Sequence, residues 1–188
     1  MMRRRVALPV VVAALLAVSG NLGVIPAGAA AGSANSKCTK KPFVGTVERT
    51  AEASASGQPT AQLTTSDVRS ALVYDFGSDK NYTVYAGDYK LAAGDLGGTL
   101  TAPEGKVLVT MFLRSASGKS LTTGTKLVPG KDPVSVLVDA GAGAIAVTSN
   151  PSGTVTILKS SKGSLCFAID YHDDYQDVDG VVNAAINR

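Results

Sequence analysis

Val107-Leu108-Val109-Thr110-Met111-Phe112-Leu113-Arg114 is the stretch that decides the fold. Val107, Val109, Met111 and Leu113 fall in one phase of a two-residue period, and Leu108, Thr110, Phe112 and Arg114 fall in the other. A β-strand sends successive side chains to opposite faces, so this pattern predicts a strand with one wholly apolar face and one mixed face. The same period recurs at Val134, Val136 and Val138, at Val155 and Ile157, and at Leu165, Phe167 and Ile169. Turn-forming clusters separate these runs: Ser115 to Lys119, Gly141-Ala142-Gly143, Asn150-Pro151-Ser152-Gly153 and Ser160 to Gly163. Glycine supplies positive φ and proline presets a turn, so residues 133 to 170 are expected to form an antiparallel meander of four strands.

Upstream, Ala71 to Phe76 and Tyr82 to Ala86 flank Gly77 to Asn81 as a hairpin, and Phe43 to Val47 supplies a first strand. Glu52 to Thr65 is rich in small and polar residues and predicts a long connection, while Ala86 to Gly105 carries no decisive pattern. Eight or nine strands without an amphipathic helix predict an all-β fold, an antiparallel β-sandwich with a small β-barrel as the alternative. The expected organisation is a signal peptide at 1–31, an amino-terminal segment at 32–66 with the first strand and a flexible loop, and a β-sandwich body at 67–188.

The leader is expected from Arg3, Arg4 and Arg5, an apolar run from Val6 to Val18 broken only by Pro9, and small residues at Ala27-Gly28-Ala29 or Ala29-Ala30-Ala31. That run is shorter than the roughly 20 apolar residues a membrane helix needs, so a secreted, extracellular product with no membrane attachment is expected. Cys38 follows Asn35-Ser36-Lys37, not a small apolar lipobox, which argues against a lipid anchor. An oxidising destination makes a Cys38–Cys166 disulfide the expectation for the only two cysteines.

Eighteen basic and fifteen acidic residues give the full chain a formal charge of +3. Loss of the three leader arginines leaves fifteen of each, and that near-neutral balance argues against a nucleic-acid partner, whose binding rests on clustered Lys and Arg. Tryptophan is absent, so the core must be built mainly from Val, Leu, Ile and Ala.

Three candidate sites follow from residue chemistry. Asp170, Asp173, Asp174, Asp177 and Asp179 form the densest acidic stretch, and hard oxygen ligands at that density suit calcium. Asp177, Asp179 and Gly180 match positions three, five and six of a calcium loop, but Tyr175 and Ile186 stand where its first and twelfth positions need carboxylates. A solvated acidic turn is the competing reading, and no other cofactor is suggested. His172, the single histidine, is the one imidazole available for extracellular hydrolase chemistry, although no G-x-S-x-G elbow marks a nucleophile. Tyr82, Tyr85 and Tyr89 lie around the hairpin and suit contact with a protein or glycan at the cell surface, or else cap the core. Gly118-Lys119-Ser120 imitates the end of a phosphate loop, but Leu113 replaces the required glycine.

The succession Gly124-Thr125-Lys126-Leu127, Gly153-Thr154-Val155-Thr156-Ile157, Leu165-Cys166-Phe167-Ala168-Ile169-Asp170 and Val178-Asp179-Gly180-Val181-Val182-Asn183-Ala184 resembles small secreted or lipid-anchored bacterial β-sandwich domains of uncharacterised function. The likeness covers roughly residues 70 to 186, and Val181 and Val182 depart from the usual Thr and Phe. It implies a fold and supplies no active site. The expected function is a non-enzymatic binding or envelope-associated module, with a hydrolase using His172 or a calcium-stabilised structural domain as alternatives.

Overall fold

The strands of the alternating pattern join in one continuous sheet that rolls around a single core. In the computed structural model the described residues are 37–49, 63–65, 67–75, 79–96, 101–141 and 149–187. The expected leader, the first part of the long connection after β1 and the turn at Ala142-Gly143 lie outside them. The strands are β1 (Phe43–Arg49), β2 (Leu63–Thr65), β3 (Ser70–Asp75), β4 (Asn81–Gly87), β5 (Leu108–Arg114), β6 (Lys126–Leu127), β7 (Val134–Asp139), β8 (Ser152–Ser160), β9 (Ser164–His172) and β10 (Gln176–Asn187). The main path runs β6-β8-β9-β10-β3-β4-β5-β7, with β1 paired to β10 and β2 to β1. The all-β expectation holds. One hydrogen-bonded sheet replaces two stacked ones, so the architecture follows the barrel alternative. Its terminal strands, β6 and β7, are joined by residues 128–133 alone.

The expected 133–170 meander is corrected in one respect, and its expected strand between the turns at Gly141-Ala142-Gly143 and Asn150 to Gly153 lies mostly outside the described residues. Among the described residues, β8, β9 and β10 are sequential antiparallel neighbours, but β7 pairs with β5 at the far end of the path. Turn signals say where a strand stops, and they do not say which apolar face it will meet next. The β3–β4 hairpin forms as expected, with Val73 opposite Val84. Twelve-residue β10 organises the whole: β9 lies along one edge, while β1 and then the end of β3 share the other. The β3 pairing is parallel.

Alternation explains the burial. Val47, Val73, Val84, Val109, Met111, Val136, Val138, Val155, Ile157, Phe167, Tyr171, Val178 and Val182 all point into one core cluster. Gly45 and Gly180 face each other across β1 and β10 on this inner side. A Cβ on Gly45 would sit 1.9 Å from the Asp179 carbonyl oxygen, so the close approach of the two strands requires glycine there.

Strand β4 is buried on both faces, because residues 88–96 and 101–107 fold back over the outside of β3, β4 and β5. Most of this stretch falls in Ala86 to Gly105, where the sequence has no decisive pattern, and among its described residues the regular structure is a 3-10 turn at Ala93–Asp95. Tyr85, Leu91, Ala102 and Leu108 form a second small core beneath it, flanked by Leu72, Tyr74, Tyr89 and Leu96. Ser70 Oγ donates to the Tyr89 carbonyl and accepts from the Leu91 N–H, and the Asp139 carboxylate accepts from the Ala102 N–H at 2.7 Å.

The barrel is closed beside β7 by side chains instead of a strand ladder. Gln176, at the start of β10, accepts from the Val138 N–H at 2.6 Å and donates to the Val136 carbonyl at 3.0 Å. Its amide thereby takes the place of a neighbouring strand's peptide on the free edge of β7. Arg49, its register partner on β1, donates to the Val138 carbonyl at 2.8 Å. Both side chains are only 2% exposed. Burial pulls the Arg49 guanidinium below its ordinary pKa, and the negative charge of Asp139 pushes it partly back.

Cys38 and Cys166 form the expected disulfide, with Cα atoms 6.0 Å apart. Cys166 lies in the outward phase of β9, so the bond pins residues 37–42 across the outer surface of β9 and β10. Asn183, directly opposite Cys166, fastens the same segment through its side chain to the Thr39 carbonyl and through its N–H to the Pro42 carbonyl.

Candidate functional site

The mixed face of β5 contributes to a groove on the outside of the sheet. Beyond the edge of the 88–107 layer, the outer face of β4, β5 and β7 stays open as a groove of about 500 Å³. Its floor has two cross-strand rows set by register: Thr83, Phe112 and Ser135, then Asn81, Arg114 and Pro133. The volume lies within the range of small-molecule sites. Phe112 is 40% exposed, one of three large apolar side chains open to solvent among the described residues. A phenyl ring beside a guanidinium, with short hydroxyl and amide side chains around it, can meet both an apolar surface and an anion. Sequence reasoning found the mixed phase of this strand but not its partners, because Asn81 and Ser135 join it only through strand register.

His172 and its acidic neighbours occupy a different surface. His172 and Asp170 point outward from β9, and Asp177 and Asp179 stand opposite them on β10. The imidazole Nδ1 lies 2.8 Å from an Asp177 carboxylate oxygen and its Nε2 2.6 Å from one of Asp170, both within hydrogen-bond distance. Partial burial pulls its pKa down, but the hydrogen bonds and charges of the two carboxylates outweigh that and hold it above its ordinary 6.5. Both ring nitrogens therefore face carboxylates. The neighbouring Ser152 hydroxyl donates to the His172 carbonyl, at 3.3 Å, and not to the ring. A serine nucleophile needs a ring nitrogen to accept its proton, and these contacts do not assemble that pair.

The five aspartates do not converge. Asp173 caps the β9–β10 turn, one oxygen accepting from the N–H groups of Tyr175 and Gln176, the other from the Tyr171 hydroxyl and the Gln176 amide. Asp174 accepts from Ser149 and Asn150, both at 2.7 Å. Among the described residues no group of three or more His, Cys, Asp or Glu is placed to hold a metal ion. The arrangement is a hydrogen-bonded turn with a histidine between two strand carboxylates.

The three tyrosines do not share a surface. Tyr82 is 3% exposed in the main core, whereas Tyr85, at 7%, and Tyr89 belong to the small outer core. Burial, with Tyr74 nearby, pushes the Tyr85 phenol above its usual pKa. They act as packing residues, the core-capping alternative. Gly118-Lys119-Ser120 lies in the β5–β6 connection, where the Gly118 N–H closes a turn on the Ser115 carbonyl.

The raised pKa of His172 has a thermodynamic consequence. A group whose pKa rises on folding adds stability that is fully present below its unfolded value and is lost as pH rises through the folded one. His172→Gln should therefore melt below the parent protein between about pH 5 and 6, and match it above about pH 8. The ring is half exposed, so the difference should stay below about 1 kcal/mol. Melting curves across this range check it, and a gap that widens with rising pH would contradict it.

No family profile, curated protein or solved structure matches this chain.

Proposed function

We propose that the chain is an exported bacterial β-module that works by binding, without catalysing a reaction, either released from the cell or associated with its envelope. The observation that carries the binding reading is the groove over β4, β5 and β7. It presents an exposed phenyl ring and a guanidinium on a floor of three paired strands, and rigid secondary structure suits a recognition surface. The leader pattern of Arg3 to Ala31 and the Cys38–Cys166 bond support export, since structural disulfides persist in oxidising compartments. The engaged nitrogens of His172 speak against hydrolysis at that residue. Among the described residues no helix is long and apolar enough to cross a membrane.

Intact-mass analysis of protein expressed with its leader in a bacterial host tests the export half of this reading. The expected product is recovered outside the cytoplasm, begins after Ala29 or Ala31 and lacks two thiol hydrogens. Full-length protein held in the cytoplasm with two alkylatable cysteines would overturn it.

A further inference from the structure

The chemistry lining the groove narrows what it can hold. Arg114 projects from the outer face of β5 and is exposed, and it makes no ion pair with a carboxylate among the described residues. Its register partner Asn81 carries a side-chain oxygen that is enclosed and has no hydrogen-bond partner among those residues. An unpaired buried polar group costs about 1–3 kcal/mol and calls for a partner that the described residues do not supply. One row over, Phe112 offers its ring to solvent between Thr83 and Ser135, and Pro133 adds apolar surface beside Arg114. A planar guanidinium matches a carboxylate through two parallel N–H bonds, and an adjacent phenyl face takes the apolar side of a ring. Among the described residues no acidic side chain lines the groove to compete for the guanidinium or repel an anion.

We infer that this groove binds a small ring-bearing carboxylate, with the anion on Arg114, the ring face on Phe112, and the Ser135 hydroxyl available to a polar substituent. The inference rests on the binding reading above and adds the charge and shape of the ligand. Two sources share this chemistry, a uronic-acid sugar, which has an apolar C–H face, and an aryl carboxylate. The volume of about 500 Å³ admits either.

Amide-resolved NMR titration of the oxidised mature protein tests it with four probes: glucuronate, its neutral counterpart glucose, 3-phenylpropionate and its neutral counterpart 3-phenylpropanamide. At least one carboxylate should give saturable shifts confined to residues 81–83, 112–114 and 134–135, and should bind at least about tenfold more tightly than its neutral counterpart. Which of the two does so distinguishes the sources. Arg114→Gln should abolish that preference while leaving the other amide positions unchanged, and Phe112→Ala should weaken the carboxylate and its counterpart together. Equal binding of charged and neutral probes in the groove would overturn the carboxylate inference and leave the binding reading standing. Absence of saturable shifts with all four probes would remove both.

Discussion

Gln176→Leu should lose about 3–5 kcal/mol of stability, although leucine nearly matches glutamine in volume and suits a buried position. The cost comes from what the amide leaves behind. The Val138 N–H and the Val136 carbonyl would lose their partner on the free edge of β7, and Asp173 would lose a donor on the adjoining turn. An unpaired buried backbone group costs about 1–3 kcal/mol, and two such groups with a weakened turn set the total. For a domain of this size each kcal/mol lowers the melting temperature by about 2–4 °C, so a fall of about 10–15 °C is expected. Hydrogen exchange at the Val138 amide adds a local test, because that proton should lose protection beyond the global change. A fall of less than about 3 °C with the Val138 amide still protected would show that Gln176 is not what closes the barrel. Asp177→Asn, one residue along on the exposed face, serves as the control and should change stability by under about 1 kcal/mol.

Replacing both cysteines by serine should cost about 5 kcal/mol. The bond spans 128 positions, and a loop of that length gives about this value when closure entropy is removed from the unfolded chain. Its native-state effect should be local. Residues 37–42 would remain attached through Asn183 and β1 alone, so their amides should exchange faster while β3, β4 and β5 keep their relative protection. Denaturant unfolding of oxidised parent and double-serine protein gives the total, and exchange mapping gives the location. A difference under about 1 kcal/mol would mean that the unfolded chain is already compact enough for the bond to constrain little.

Legibility from sequence differed between strands and contacts. The apolar phases of β5, β7, β8 and β9 were visible because side-chain period is a local property, and each predicted apolar phase faces the core. The β3–β4 hairpin was legible for the same reason, with only residues 76–80 between its strands. Ala86 to Gly105 was opaque, since its described loop residues pack over the sheet with little regular structure and carry no period of their own. Tyr82 and Tyr85 suggested a surface because tyrosine is amphipathic; only the tertiary structure shows that Tyr82 faces the main core and that Tyr85 lies in the small outer core. The acidic run from Asp170 to Asp179 looked like one cluster because its members are close in sequence. The turn at Asp173 and the alternation of β9 and β10 send the carboxylates to separate tasks.

From its residues alone the chain is determined to be a β-protein with a Val- and Leu-rich interior and cysteines suited to a single staple, because alternation, turn chemistry and cysteine number are written in the order of residues. Tertiary structure decided that the sheet is one rolled surface, that Gln176 and Arg49 close it beside β7, and that Asn81, Phe112, Arg114 and Ser135 share a groove. Those facts depend on which strands become neighbours and in what register. Strand neighbours are chosen by the combined burial of many apolar faces, and no single segment carries that information.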